Sequence, residues 1–158
     1  RRVLFVHTPR VAAGDVRAGF RFFSGAGAAG AVTEALRIDI NQAVLANGLG
    51  GLGYGTGAGG AVTQVTSRTT GVTLDKPCGA ITLFSAAGSV TPASFVVTNA
   101  KVSALDTVNI SQKSGTNDYV ACVSRVAAGS FTVTFYTTGG TATDAPVFNF
   151  AVVKAVIS

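Results

Sequence analysis

The segment Phe131-Thr132-Val133-Thr134-Phe135 alternates large apolar residues with threonines. Successive side chains of a β-strand point to opposite faces of a sheet, so the phenylalanines and the valine are predicted to point into a core and the threonines outward. Phe148, Phe150 and Val152 repeat the alternation near the C-terminus. Strands with one apolar face predict a protein in which sheets pack face to face.

Further strand-like segments lie between residue 60 and the C-terminus, and residues typical of turns separate them. The turns recur roughly every 8–12 residues, a spacing typical of antiparallel sandwiches and barrels. We therefore predict an all-β protein whose main domain is an antiparallel β-sandwich or jelly-roll-like fold. Its predicted strands are residues 62–68, 72–74, 80–84, 94–98, 107–112, 119–126, 130–137 and 147–156.

The glycine-dense segment Gly53-Tyr54-Gly55-Thr56-Gly57-Ala58-Gly59-Gly60 leads into this β region and divides the chain. Residues 53–158 are predicted as the sandwich domain, and residues 1–52 as an extended basic arm with one or two strands. Within the arm, residues 33–47 have both strand and helix patterns. A strand followed by a short helical turn is the favoured interpretation.

The N-terminal segment carries most of the chain's excess positive charge. Residues 1–21 contain five arginines and one aspartate, whereas the whole chain has a formal net charge of +5. Because guanidinium groups pair well with carboxylates, the arm is predicted to dock on an acidic surface of a partner protein. A solvated tail is one alternative. Nucleic acid is not predicted as a partner, because the segment has no lysine cluster and no recognised binding motif. The predicted docking residues are Arg1, Arg2, Arg10, Arg17 and Arg21.

The chain is poor in charge: charged residues make up 12% of it and hydrophobic residues 47%. A free monomer with so few charged groups is at risk of poor solubility, so we predict that part of its surface is covered by copies of itself, as a homotrimer, or by another protein. Glycines and polar groups interrupt every uncharged stretch before the ~20 apolar residues of a spanning helix are reached. No membrane segment is predicted.

Residues 55–60 match the G-x-G-x-x-G pattern of dinucleotide-binding loops. Such a site needs a strand before the glycines and a helix that begins on them. Here further glycines precede the pattern and β-branched residues follow it. A linker or a close backbone crossing is therefore predicted at these residues, and no cofactor.

Candidates for catalysis and metal binding are few. His7 is the one histidine, and Cys78 and Cys122 lack metal-binding spacing, so no metal site is predicted. Both cysteines are predicted to be reduced structural thiols, with Cys122 buried in a strand, and a disulfide bridge between them is the alternative. Several of the seven acidic residues lie in predicted turns, among them Asp144. No catalytic residue is predicted and the chain is expected not to be an enzyme. A pair of carboxylates that cleaves polysaccharide is the remaining enzymatic alternative.

Residues 53–83, which run from Gly-Tyr-Gly-Thr-Gly through Val-Thr-Gln-Val-Thr-Ser to Gly-Ala-Ile-Thr-Leu, resemble a recurring module of the virion proteins of tailed bacteriophages. The similarity continues more loosely at residues 95–99, 106–108, 127–131, 145–147 and 150–155. It covers about two thirds of the chain, residues 53–158. The resemblance implies a decoration, fibre or spike protein, and it implies no catalytic residues.

The residues and the resemblance together predict a non-enzymatic structural protein of the virion, assembled in the cytoplasm of the bacterial host. The favoured role is a capsid decoration (cement) protein that contacts the major capsid protein or another virion protein. The alternative is a trimeric head-fibre, tail-fibre or spike module that binds the host surface, for example a glycan. In that case the loops at residues 113–118 and 137–143 are predicted to form the recognition tip. A subunit of a polysaccharide depolymerase is the third hypothesis.

Overall fold

The computed structural model describes residues 5–6, 20–25, 32–38, 44–46 and 52–156. The chain divides into two compact units, Arg1–Gly53 and Tyr54–Ser158. Every regular element among the described residues is a β-strand, which confirms the predicted all-β class. The strands are β1 (Phe5–Val6), β2 (Phe20–Gly25), β3 (Val32–Ile38), β4 (Val44–Ala46), β5 (Gly59–Thr63), β6 (Val72–Thr73), β7 (Cys78–Thr82), β8 (Ala86–Ala87), β9 (Ala93–Thr98), β10 (Thr107–Ser114), β11 (Tyr119–Ala127), β12 (Ser130–Thr137), β13 (Thr143–Asp144) and β14 (Val147–Val153).

The described part of the first unit is one antiparallel sheet with the strand order β1-β2-β3-β4. The prediction of an extended arm with one or two strands is wrong in strand number, since four are present. The predicted helical turn is also wrong at β4, where Val44 and Leu45 pair with Ile38 and Arg37 of β3. The neighbouring strand satisfies the backbone hydrogen-bonding groups of β4, which outweighs a weak helical spacing of apolar residues.

The second unit contains two four-stranded sheets. Sheet I has the order β10-β14-β7-β5 and sheet II the order β11-β12-β9-β6, and a two-stranded ribbon joins β13 to β8. Most neighbouring strands are antiparallel, as predicted, but β5–β7 and β6–β9 are parallel pairs. Parallel neighbours require a crossover connection. Between β5 and β7 the chain makes this crossover by visiting sheet II as β6.

One apolar core lies between the two sheets, which confirms the β-sandwich. Burial alternates along β12 and β14, and the residues predicted to be inside are buried: Phe131, Val133, Phe135, Phe148, Phe150 and Val152. Phe131 of sheet II meets Phe150 of sheet I with ring centroids 5.2 Å apart, and Phe135 meets Phe148 at 5.8 Å. The rings of each pair are inclined rather than stacked face to face, the arrangement that the aromatic quadrupole favours.

A close backbone approach explains two of the glycines. Gly60 of β5 lies opposite Gly79 of β7 in the parallel pair. A Cβ atom added to Gly79 would lie 2.6 Å from the carbonyl oxygen of Gly60 and 2.8 Å from a methyl group of Leu74. The absence of a side chain therefore lets Leu74 pack over this part of the sheet.

The predicted strand at residues 62–68 is wrong beyond Thr63, where β5 ends. Gln64 is buried, and its side-chain amide donates to the carbonyls of Arg68 and Thr70 at 3.1 and 2.7 Å. Its side-chain oxygen accepts a bond of 3.2 Å from the amide of Phe84. These side-chain bonds replace strand pairing and turn the chain back, although the β-branched residues of this segment favour a strand.

Candidate functional site

The predicted docking residues fall in the first unit. Arg1, Arg2, Arg10 and Arg17 lie outside the described residues. Arg21 lies in β2, where its backbone pairs with Val6 on one side and Arg37 on the other. The docking arm therefore stays a prediction.

A buried polar network lies at the end of the sandwich where β10 leads into β11; we call it the Asp144 cluster (Arg68, Gln112, Asn117, Tyr119 and Asp144). The side chains of Asp144 and Arg68 are only 4% and 10% exposed, and their ion pair is 2.8 Å long. The Tyr119 hydroxyl donates to the same carboxylate oxygen at 2.7 Å. The Arg68 guanidinium lies over the Tyr119 ring, 5.5 Å from its centroid. A charge pair of this burial is stable only where further hydrogen bonds satisfy both partners.

Arg68 uses its remaining donors on the surrounding chain. It donates to the carbonyls of Phe84 and Ala86 at 3.1 and 2.6 Å, and to the backbone carbonyl of Asp144 at 2.7 Å. A further bond of 2.7 Å goes to the Tyr119 hydroxyl. One side chain thereby ties the segment that follows β5 to Phe84, which follows β7, and to strands β8 and β13.

The second oxygen of the Asp144 carboxylate accepts the backbone amides of Thr116 and Asn117 at 2.9 and 3.0 Å. Asn117 is buried and exchanges two bonds with the backbone of Ala142, with its side-chain amide donating at 2.7 Å and its oxygen accepting at 3.2 Å. The Gln112 side chain donates to the carbonyl of Asn117 at 2.7 Å. The two loops predicted as a recognition tip are therefore joined at one end of the sandwich, and Asp144 and Asn117 hold them.

The electrostatics of the cluster keep Asp144 ionised. Burial raises the pKa of this carboxyl, but hydrogen bonds from the Asn117 amide, the Tyr119 hydroxyl, Arg68 and the Thr116 amide outweigh burial and lower the pKa from 3.8 to about 2. Burial and the neighbouring carboxylate both raise the pKa of Tyr119. Because each oxygen of Asp144 already accepts two hydrogen bonds, the carboxylate is placed to hold loops together rather than to accept a proton from a bound molecule.

A second buried carboxylate, Asp106, lies at the opposite end of the strands. It accepts bonds of 2.8 Å from both the amide and the hydroxyl of Ser103, pairs with the Lys154 ammonium group, and accepts the Ala155 amide at 3.3 Å. Lys154 and these donors together hold the pKa of Asp106 well below its ordinary value. The Lys154 ammonium also donates to the Lys101 carbonyl at 2.9 Å. This arrangement anchors the segment after β14 to the loop between β9 and β10.

The outward faces of both sheets carry mostly uncharged side chains. On sheet I the outward positions of β5, β7, β14 and the first part of β10 hold no charged residue. They are Gly59, Ala61, Thr63, Cys78, Ala80, Thr82, Thr107, Asn109, Ser111, Val147, Asn149, Ala151 and Val153. On sheet II, β9 and β12 likewise present hydroxyls and apolar groups outward. The sequence predicted such neutral faces from its alternating threonines.

The structure bears on the predictions about the glycine pattern, the two cysteines and metal binding. The glycine pattern at residues 55–60 leads directly into strand β5 and not into a helix, so it lacks the context of a dinucleotide site. Cys78 and Cys122 are free thiols, but Cys122 is exposed, and its predicted burial is wrong because it lies at an outward position of β11. Among residues 52–156 and the four short strands before them, no group of three metal-ligating side chains comes together.

Within the described part of the chain, no helix is long and apolar enough to cross a membrane. A scan against protein-family models, a search of curated proteins and a search of solved structures found no match.

The Asp144 cluster is the feature that sequence reasoning missed. Asp144 was predicted only as a turn residue, and its partner Arg68 lies 76 positions away in the chain. The one local signal was polar: Gln64, Arg68, Gln112 and Asn117 interrupt segments that are otherwise rich in apolar and hydroxyl residues. Without the fold, that pattern does not predict that these polar residues form a buried network.

Proposed function

We propose that this protein is a non-enzymatic structural protein of a bacteriophage virion, in the role of a capsid decoration protein. The observation that carries the proposal is the pair of mostly uncharged outward faces on a sandwich whose ends are tied by Asp144 and Asp106. Faces of small uncharged residues suit close packing against other protein subunits, since little charge must be desolvated. The resemblance of residues 53–158 to virion modules supports the same role.

In this role the major capsid protein, or another virion protein, is the partner of the N-terminal unit. Arg1, Arg2, Arg10, Arg17 and Arg21 supply positive charge that suits an acidic capsid surface. The sandwich unit then packs against copies of itself, and the homotrimer remains a prediction for the assembled state. A protein that binds only the mature shell stabilises it by mass action, in proportion to the logarithm of its concentration over its Kd.

The test is the temperature at which mature shells rupture, measured with and without saturating protein. Decoration predicts a higher rupture temperature that rises further with protein concentration. A variant with all five of these arginines changed to glutamine is expected to lose the shift, and the matched control Lys101→Gln, at an exposed site in the sandwich, is expected to keep it. An unchanged rupture temperature with wild-type protein contradicts the proposal.

One observation favours a second candidate, a fibre or spike module that binds the host surface. The two loops predicted as its tip, at residues 113–118 and 137–143, lie together because Asn117 bonds to Ala142. Exchange of Lys113, Thr138 and Thr141, which spares the buried Asn117 and the glycines packed near it, is expected to reduce adsorption to host cells if this version holds. Unaltered adsorption of a folded variant argues against it.

A further inference from the structure

The outward face of sheet II differs from that of sheet I in how its polar groups are satisfied. Here the Thr134 hydroxyl donates to the Ser124 hydroxyl at 2.9 Å and bonds the Ser94 hydroxyl at 2.8 Å. The Ser124 hydroxyl in turn donates weakly to the Thr132 carbonyl at 3.4 Å. The row of hydroxyls thus runs across β9, β12 and β11 and bonds within itself. Covering such a row sacrifices few hydrogen bonds to water, which lowers the desolvation penalty of burying the face.

Apolar groups flank this row of hydroxyls on both sides. Val120 and Tyr136 pair across β11 and β12 toward one end, and Val96 lies opposite Thr132 toward the other. All three apolar side chains are more than a third exposed. On sheet I the exposed outward positions include the amides of Asn109 and Asn149, and Val153 is the one large apolar side chain on its strands that is more than a third exposed. Sheet II therefore has the face better suited to burial against protein.

The charges at the two ends of this face are opposite in sign. Asp118 is exposed immediately before β11, and its carbonyl accepts the amide of Thr138, which continues the pairing with β12. Arg125 is exposed near the other end of β11, where it pairs with Thr132. Since inward and outward side chains alternate along a strand and Tyr119 is buried, Asp118 lies on the outward side. The midpoint between the two charges falls between Ala121 and Cys122, close to the middle of β11.

We propose that a second copy of this chain covers the outward face of sheet II, related by a twofold axis that passes over β11 between Ala121 and Cys122. In this arrangement the β11 strands run antiparallel, so Arg125 of each copy lies over Asp118 of the other. The interface is isologous, and the two ion pairs form by symmetry. A threefold arrangement with strands parallel to the axis would gather three Arg125 side chains at one end. The charges therefore favour two copies at this face over the three that the sequence predicts.

The size of the face sets the strength of the dimer. Strands of up to nine residues, spaced about 4.8 Å apart, give a face of roughly 400 Å² per copy. The total of about 800 Å² lies below the ~1,200 Å² of a standard stable interface. We therefore expect a dimer that dissociates in the micromolar range or above and that becomes populated when copies are concentrated on a larger assembly. The proposal concerns the free chain and does not depend on the virion assignment.

Charge reversal tests the pairing by sedimentation velocity over a series of protein concentrations. Asp118→Arg and Arg125→Asp each replace two attractive contacts with two repulsive ones, so each is expected to weaken the dimer about tenfold. The double variant restores opposite charges and is expected to return to within about threefold of wild type. Lys113→Glu, a charge reversal outside this face, is the matched control and is expected to change the Kd little. Circular dichroism melting establishes that each variant is folded.

The native thiols give a second readout, because each sheet carries one outward cysteine: Cys78 on sheet I and Cys122 on sheet II. Pulse alkylation followed by peptide mass spectrometry reads both in the unmodified protein. Labelling of Cys122 is expected to slow as concentration rises through the dimer range, while labelling of Cys78 stays constant. Three results would overturn the proposal: a trimer that protects Cys122 and so forms through this face, a rescue that fails in the double variant, or self-association that leaves Cys122 labelling unchanged.

Discussion

Replacing Asp144 with alanine is expected to destabilise the sandwich more than any change at an exposed acidic residue. The substitution removes the acceptor for Arg68, for the Tyr119 hydroxyl and for the amides of Thr116 and Asn117. Arg68 is then left as a buried cation whose remaining acceptors are neutral. Breaking a buried ion pair by removing one partner typically destabilises a protein by about 3–5 kcal/mol. That is a large part of the roughly 5–15 kcal/mol by which a domain is stable.

The assay is urea unfolding at neutral pH, followed by far-ultraviolet circular dichroism. Asp118→Ala is the matched control, because Asp118 is exposed, and we expect it to change the free energy of unfolding by no more than about 0.5 kcal/mol. Asp144→Asn keeps the shape but removes the charge, so we expect a loss intermediate between the two. A loss at Asp144→Ala of less than about 1 kcal/mol would refute the reasoning, since the two networked charges would then contribute no more than surface groups.

Three further predictions follow from the packing and the pKa values. Folding lowers the pKa of Asp144 from 3.8 to about 2 and also lowers the pKa of Asp106. The stabilisation that these two carboxylates give is therefore complete above pH ~4 and is lost as the pH falls toward 2. The urea concentration at the unfolding midpoint is expected to fall across this pH range, and to fall less steeply for Asp144→Asn. Gly79→Ala is expected to lose about 1–3 kcal/mol in the same assay, because its Cβ would lie 2.6 Å from a backbone oxygen, whereas Gly55→Ala, with no atom within 4 Å, should change stability little. Phe148→Ala is expected to lose about 3–5 kcal/mol, because this fully buried ring contacts aromatic side chains of the opposite sheet.

The sheet strands were predictable where burial has a period of two. The prediction for residues 130–137 matches β12 residue for residue, and the inward phenylalanines and valine are confirmed. In such segments a slip of one position would move every apolar side chain into water, so the pattern determines the strand. The predictions failed where side-chain hydrogen bonds override propensity, as at Gln64, which ends β5 early although β-branched residues continue.

The candidate sites show the same contrast between local and distant information. Neutral outward faces follow directly from threonines that alternate with apolar residues, and these faces were predicted. The Asp144 cluster and the crossover that makes β5 and β7 parallel depend on contacts between residues far apart in the chain. Periodicity carries no information about such contacts.

Co-sedimentation with mature capsid shells that lack this protein tests the central claim most directly, with host cells as the parallel sample. We expect saturable binding to the shells at a fixed ratio to the lattice, and reduced binding when Arg1, Arg2, Arg10, Arg17 and Arg21 are changed to glutamine. Binding to cells but not to shells would contradict decoration and favour the fibre alternative. Binding to neither would contradict both roles.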